Sequence, residues 1–369
     1  MPFFDSLAGS ALAEILERGA PILGSIKHLD SQTKLSSWMD KYPDETKLVH
    51  LNLPGTHDTC TWNYTPELQE SLERYTGPIP DSTIYRCQEH SIFQMLNEGI
   101  RVFDLRYAWN PGQDTIGFFH SRALLSPTTR MEDVFFGLYH WLDLHPSETV
   151  LVSLNYEPGT GTSNDARLQE HLYHILTSSL AQRYWVQAKD TLGTLGEARG
   201  KLTLIQRFDF SLLPSDLTER FGIHLGPTSW TDNGKNTEIV YNEATREAAY
   251  IEDYYQLPPS PDSYPVTNID LKFKVVEEHL LRAMSRDYND QLFITFASAA
   301  FQFDEPSLVP KVYAVGNKDE DLKEGVNHKL LSWLQGHQGE RLGIILLDFY
   351  NVVPNLVEAI VGNPIPSRM

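Results

Sequence analysis

The sequence predicts an α/β fold in a single domain: one barrel of parallel strands preceded by an amphipathic helix. Three observations carry this reading. Seven short apolar stretches have strand character, namely His50–Leu53, Arg101–Leu105, Thr115–Phe119, Thr149–Leu154, Lys201–Gln206, Gln291–Phe296 and Gly343–Leu347. Helical patterns fall between many of them, over Glu89–Glu98, Met131–Leu144, Ala166–Leu180, Leu271–Arg286, Leu322–Gln335 and Leu356–Val361. No obvious linker divides the series. Strands alternating with helices imply a parallel sheet, and an unbroken run of seven suits a closed or nearly closed barrel.

Composition limits the partners. The 369 residues carry 30 basic and 49 acidic side chains, a formal charge of −19. That balance argues against nucleic acid, which needs a basic footprint, and against long-range attraction to an anionic membrane. The hydrophobic fraction of 41% suits a globular chain with a substantial core. No apolar run approaches the roughly 18 residues of a membrane span. The N-terminus makes a poor secretory signal, because Glu14 and Glu17 interrupt its apolar stretch and no basic residue precedes it. A cytoplasmic or peripheral membrane location is therefore favoured over secretion. The sequon Asn63-Tyr64-Thr65 matters only in a secreted protein. Cys60 and Cys87 are too few for a disulfide framework, and two free thiols are expected.

In chain order, Phe3, Phe4, Leu7, Ala8, Ala11, Leu12, Ile15 and Leu16 recur at helical spacing. The polar face is acidic apart from Arg18, so packing on the protein body or a partner is preferred to a membrane-surface role. Residues 1–33 are read as a helical extension and 34–369 as the barrel. Leu51 and Leu53 then alternate with polar neighbours, and Pro54-Gly55 is expected to stop that strand just before His57 and Asp58. Residues 59–88 are rich in turn formers and predict an irregular start to the barrel. Residues 224–268 show little periodicity, which marks them as functional or as hiding a strand near Tyr250–Tyr255.

The chemistry-bearing side chains gather at strand ends, where a parallel barrel places its active site. Period two puts Asp104 and Arg106 on one strand face. A surface ion pair and an anion-binding pair at the barrel mouth fit that spacing equally well. His120 ends the next strand, and Asp348 ends Gly343–Leu347. Two imidazoles flanking a phosphodiester can serve as base and acid, while a guanidinium stabilises charge on the phosphorus oxygens. Asp348 can orient His57 as a third group. His171 and His174, spaced three apart on a helix, read as a solvated face rather than a metal site. No P-loop, G-x-S-x-G elbow or G-x-G-x-x-G fingerprint is present.

Several ordered motifs resemble the X-domain phosphatidylinositol-specific phospholipases C, particularly the small bacterial type. They are Leu53-Pro54-Gly55-Thr56-His57-Asp58-Thr59, Gly99 through Arg106, the strand ending in His120, and His145-Pro146-Ser147-Glu148-Thr149. Gly196 through Lys201, Gln206-Arg207, Glu252 through Tyr255 and Leu347 through Tyr350 continue the likeness. The resemblance implies a distorted (β/α)8-type TIM barrel and a phosphorus–oxygen lyase. In that family the inositol 2-hydroxyl attacks its own phosphate, releasing diacylglycerol and a 1,2-cyclic phosphate. By position, His57 is the base held by Asp348, and His120, helped by Asp58, is the acid. Arg106 neutralises the phosphate with Asp104 in support. Arg207 and Asp253 match positions that bind inositol hydroxyls, and Tyr255 matches the aromatic against the ring.

The resemblance also implies no metal and no cofactor, because calcium-dependent members carry an acidic residue where this chain has Arg106. Asn155 departs from the family, which has lysine in the bacterial enzymes and glutamate in the calcium-dependent ones; it bears on the headgroup accepted. The implied partner is a phosphatidylinositol-type lipid, met by a monomer in transient contact with a membrane surface. Phe301, Phe303, Leu308 and Val309 suit insertion into lipid, joined by Trp62 and Tyr64, or else form a small cluster under their loop. A metal-dependent glycerophosphodiesterase would need acidic ligands where Arg106 stands. A silent lipid-binding protein would have no use for both an acid and a base.

Overall fold

A computed structural model describes residues 9–29, 31–218, 221–257, 265–300, 308–317 and 324–362. Eleven strands form among these residues: β1 Leu53–Thr56, β2 Val102–Trp109, β3 Ile116–His120, β4 Ala123–Leu124, β5 Val150–Tyr156, β6 Leu202–Arg207, β7 Ile223–His224, β8 Thr237–Asn242, β9 Glu247–Glu252, β10 Leu292–Phe296 and β11 Ile344–Leu347. The sheet runs β7-β6-β5-β2-β1-β11-β10-β9-β8. Every neighbour from β7 to β9 is parallel, and β8 closes the far edge as an antiparallel hairpin partner of β9. Among the described residues no pairing joins β7 to β8, so the barrel is distorted and nearly closed.

The strand interiors explain the closure. The outward faces of β2, β5, β6, β10 and β11 are as buried as the inward ones, because helices cover them. Pro54 and Gly55 lie inside β1 rather than ending it. Pro54 needs no amide donor there, and its carbonyl accepts from Arg101 N at 2.9 Å. A Cβ on Gly55 would sit 2.6 Å from Leu346 Cδ2 and 2.8 Å from Val102 Cβ, so only glycine lets both neighbours close in. The stretch Leu48–His50 is a 3-10 turn.

The turn-rich region 59–88 contains a helix, Pro66–Thr76, started by the Thr65 side chain and by proline in its first turn. It escapes a periodicity reading because of its residues only Leu72 is buried. The β8–β9 hairpin lies in the unperiodic stretch and extends the strand expected near Tyr250. The N-terminal helix Gly9–Leu23 packs on the barrel. Leu16, Ile22 and Leu23 enter the common core, and Arg18 Nε donates to the buried Asp133 at 2.9 Å. Phe3, Phe4, Leu7 and Ala8 lie outside the described residues.

Candidate active site

The carboxyl ends of the strands surround a cavity of about 710 Å³. β1 delivers His57 and Asp58 and β11 delivers Asp348, each just past a strand end, while Asp104 and Arg106 project from within β2. His120 arrives differently. β3 is antiparallel to β2, with Tyr107 opposite Phe118, so the hairpin folds His120 back toward the level of Arg106. The register β2–β5–β6 then sets Arg106, Asn155 and Arg207 side by side on three adjacent strands.

His57 Nδ1 lies 2.9 Å from Asp348 Oδ1. Its Nε2 faces Asp58 Oδ2 at 3.1 Å and Arg106 Nη2 at 3.0 Å. His120 Nδ1 lies 2.7 Å from the Tyr85 carbonyl, which fixes a proton on that nitrogen and aims Nε2 inward. That Nε2 is also 3.1 Å from Asp58 Oδ2. One carboxylate oxygen thus stands between two imidazoles. The other, Oδ1, receives Arg106 Nε at 3.0 Å. Asp104 completes the cluster: Oδ2 accepts from Asp58 N and Arg106 Nη2, both at 3.2 Å, and Oδ1 accepts from Arg207 Nη1 at 3.2 Å. The pair Asp104–Arg106 is therefore internal, which decides between the two readings its spacing allowed.

The electrostatics push the imidazoles apart. Burial opposes a charge on His57, but Asp348 and Asp58 outweigh it and lift its pKa to about 9. Burial and the Arg106 guanidinium drive His120 down to about 4. Burial raises the Asp58, Asp348 and Glu157 carboxyls. Asp104 escapes that fate, since Arg106 and Arg207 overcome its burial and hold it down to about 2. Among the described residues, His57, Asp58 and Cys87 are the one group of three potential metal donors within 4.8 Å. Both cysteines are free.

The expected headgroup residues gather in the same cavity. Asn155, Arg207, Asp253 and Tyr255 all line it. Arg207 stacks 3.8 Å over the Trp230 ring, Trp230 Nε1 donates to Asp253 at 2.9 Å, and Tyr255 donates its hydroxyl to Asp232 at 3.0 Å. Trp230, Asp232 and Glu157 are site residues that sequence reasoning missed. Glu157 is two residues beyond Asn155 on the same strand face, so period two carried the signal. Trp230 lies where no periodicity does.

Of the four apolar rim residues, Leu308 and Val309 are among the described residues. Phe301 and Phe303 lie outside the described residues. Leu308 is buried, and Val309 is partly buried as the cap of helix Pro310–Val315. Tyr64 is buried, while Trp62 is half-buried with Nε1 donating to Ile22 O at 3.0 Å. Leu308, Tyr64 and Trp62 are thus core and helix contacts rather than free apolar side chains.

Residues 78–208 match the family described as "Phosphatidylinositol-specific phospholipase C, X domain". The "1-phosphatidylinositol phosphodiesterase" of Listeria monocytogenes is 24% identical over 327 residues, covering 88% of this chain and 84% of that protein. Over residues 78–208 the chain matches that family's model, and its similarity to the Listeria protein extends through most of the chain. Solved structures of two bacterial proteins share its fold. The phosphatidylinositol-specific phospholipase C from Listeria monocytogenes superposes with a TM-score of 0.61 at 21% identity, covering 89% of this chain and 98% of that one. The Staphylococcus aureus enzyme, in a structure on modulation of its membrane binding, gives 0.66 at 18% identity, covering 88% and 96%.

Proposed function

We propose that this chain is a phosphatidylinositol-specific phospholipase C that cleaves phosphatidylinositol, or a related inositol phosphodiester, to diacylglycerol and a cyclic inositol phosphate. The observation that carries the reading is Asp58 Oδ2, 3.1 Å from the Nε2 atoms of both His57 and His120, with Arg106 on the carboxylate's other oxygen. A binding protein needs no such shared proton path.

In this reading His57 takes the proton of the attacking ring hydroxyl. Asp348 behind Nδ1 stabilises the imidazolium that forms, as a buried carboxylate does for other catalytic histidines. His120 gives a proton to the departing glyceride oxygen, and its low pKa makes it a strong acid once charged. In the resting site the single proton of the pair sits on His57. Asp58 links the two nitrogens, and a phosphate monoanion on Arg106 neutralises the guanidinium that disfavours a charged His120. Both imidazoles then reach their working forms while one proton is shared. Arg106 supplies at the phosphate the positive charge a divalent cation would supply. Asn155, Arg207, Asp253 and Tyr255 offer the neutral, cationic, anionic and aromatic contacts that a polyhydroxyl ring takes. The enzyme is read as a monomer that meets a lipid surface transiently; for the membrane contact alone, the Staphylococcus aureus structure on membrane binding offers a parallel.

Phosphorus NMR of phosphatidylinositol treated with the protein, with and without chelator, tests the proposal. A cyclic phosphate formed in both samples is the expected result. No turnover of any inositol phosphodiester overturns it.

A further inference from the structure

Cys87 has no part in that reaction, yet its thiol lies beside the catalytic pair. Its Sγ, a ring nitrogen of His57 and a carboxylate oxygen of Asp58 lie within 4.8 Å of one another. The thiol is fully buried and its backbone is clamped. Cys87 N donates to Thr61 Oγ1 at 3.0 Å, and Cys87 O accepts from Phe349 N at 2.9 Å. The sulfur therefore belongs to the same frame that holds His57 and Asp348. A second feature points the same way. Asp58 is 2% exposed, and its Oδ2 makes no aligned hydrogen bond although two imidazole nitrogens face it at 3.1 Å. A buried oxygen in that condition has unused capacity for a cation.

We propose that His57, Asp58 and Cys87 form an inhibitory site for a thiophilic divalent cation of the zinc class. One nitrogen, one oxygen and one sulfur make a borderline-soft donor set that suits zinc. Calcium, which takes six to eight oxygens, has no such shell here. Tetrahedral bonds of about 2.0–2.3 Å place donors roughly 3.5 Å apart, so the three close in by about an ångström. A water or His120 Nε2 fills the fourth position. On binding, the Cys87 S–H bond breaks, a sulfur–metal bond forms and the proton leaves to solvent. His57, charged at rest, also loses one ring proton to solvent and gives the metal the lone pair so freed, and Asp58 gives a carboxylate pair. Arg106, 3.0 Å from His57 Nε2, turns toward Glu157, whose buried Oε2 is 3.6 Å from Nη1 and makes no hydrogen bond. The metal then holds the base and the carboxylate that serves the acid, and turnover stops.

Only the inhibition rests on the proposed function; binding is measured by itself. The full chain, stripped with chelator, is titrated with Zn²⁺ against a chromophoric chelator, and with Co²⁺ for the thiolate-to-metal absorption band. One tight Zn²⁺ and a cobalt thiolate band are expected. Cys87→Ser should abolish the band and weaken Zn²⁺ by about tenfold or more, the least that loss of a ligand costs, while Cys60→Ser leaves both unchanged. Where activity is present, Zn²⁺ should inhibit it over the same concentrations that fill the site. Absence of tight Zn²⁺ binding, or equal binding by a folded Cys87→Ser or Cys87→Ala protein, overturns the proposal. If neither variant folds, a cobalt band that survives in Cys60→Ser supports it, and its absence there overturns it.

Discussion

Replacing Asp348 with asparagine removes the charge behind His57 and leaves an oxygen for its Nδ1 proton. The consequence follows from the proton count. A reaction needing one base and one acid runs on the singly protonated pair of imidazoles, whichever ring holds the proton at rest. The alkaline limb of kcat/KM is therefore loss of the last proton, from His57, whose pKa is lifted to about 9. The acid limb is entry of a second proton onto His120, near about 4. The lift on His57 from 6.5 to about 9 corresponds to about 3 kcal/mol in favour of imidazolium, at roughly 1.4 kcal/mol per pH unit. Asp348 is the largest contributor that raises it, ahead of Asp58. In Asp348→Asn the alkaline limb should move toward lower pH, and kcat/KM at its optimum should fall by about 10²–10⁴. Initial rates on a soluble inositol phosphodiester, taken from about pH 4 to about pH 10, read both quantities. A limb that stays near 9 refutes the assignment of His57 as the group that titrates there.

Other outcomes follow from the same geometry. Loss of the acid should be forgiven by a good leaving group, so His120→Ala should regain most activity on a nitrophenyl ester of inositol phosphate. His57→Ala should not. Arg106→Ala should lower kcat by about 10²–10³, the usual effect of losing one oxyanion donor, and chelator should leave the unsubstituted protein's rate unchanged. Asp58→Asn, touching both imidazoles, should be non-additive with His120→Ala, a double-mutant cycle giving less than the sum. Away from the reaction, the fully buried Lys272 Nζ lies 2.7 Å from Glu252 Oε1 and 2.9 Å from Tyr254 O, next to Asp253. Lys272→Met should cost about 3–5 kcal/mol in urea unfolding by stranding Glu252, and adding Glu252→Gln should recover most of it. Burial already lifts Glu252 from 4.5 to about 7. The folded carboxyl thus holds its proton longer than the unfolded one, so stability of the single variant should fall as pH rises through that interval.

How much was legible in the sequence tracks how local the signal was. Strand cores such as Val150–Leu154 and Ile344–Leu347 announce themselves because both faces are buried, and the residue after the apolar run is then at the mouth. Asp348 was legible for that reason and His57 from the stop expected at Pro54-Gly55, whereas Arg207 entered only through the family resemblance. His120 was found at a strand end, but on a returning hairpin that the parallel pattern concealed. What brings it to Asp58 is a register between β2 and β3, a property of two segments at once. Trp230 is placed by contacts with Arg207 and Asp253, more than twenty residues away on either side. No window along the chain holds that information. The rim loop allowed two readings, insertion into lipid or a cluster under the loop, and its sequence does not choose between them. Leu308 has the composition of an exposed apolar tip, and tertiary packing buries it.

Asp58 shows why the cluster holds together. Its backbone is left-handed, with φ of 41°, a conformation that costs a non-glycine residue about 1–2 kcal/mol. Asp104 offsets that cost by accepting the Asp58 amide at 3.2 Å. The same Asp104 oxygen takes Arg106, and its partner oxygen takes Arg207. Both guanidiniums are thereby anchored from the barrel side, which leaves their outer faces toward the cavity. A site whose carboxylates outnumber its arginines would repel a phosphodiester if those charges were free. Here Asp58, Asp104 and Asp348 each face an arginine or histidine nitrogen within about 3.2 Å. On the proposed function, a phosphate at Arg106 and Arg207 faces Asp58, Asp104 and Asp348 already paired, so the acidity that tunes the imidazoles is compatible with binding an anion there.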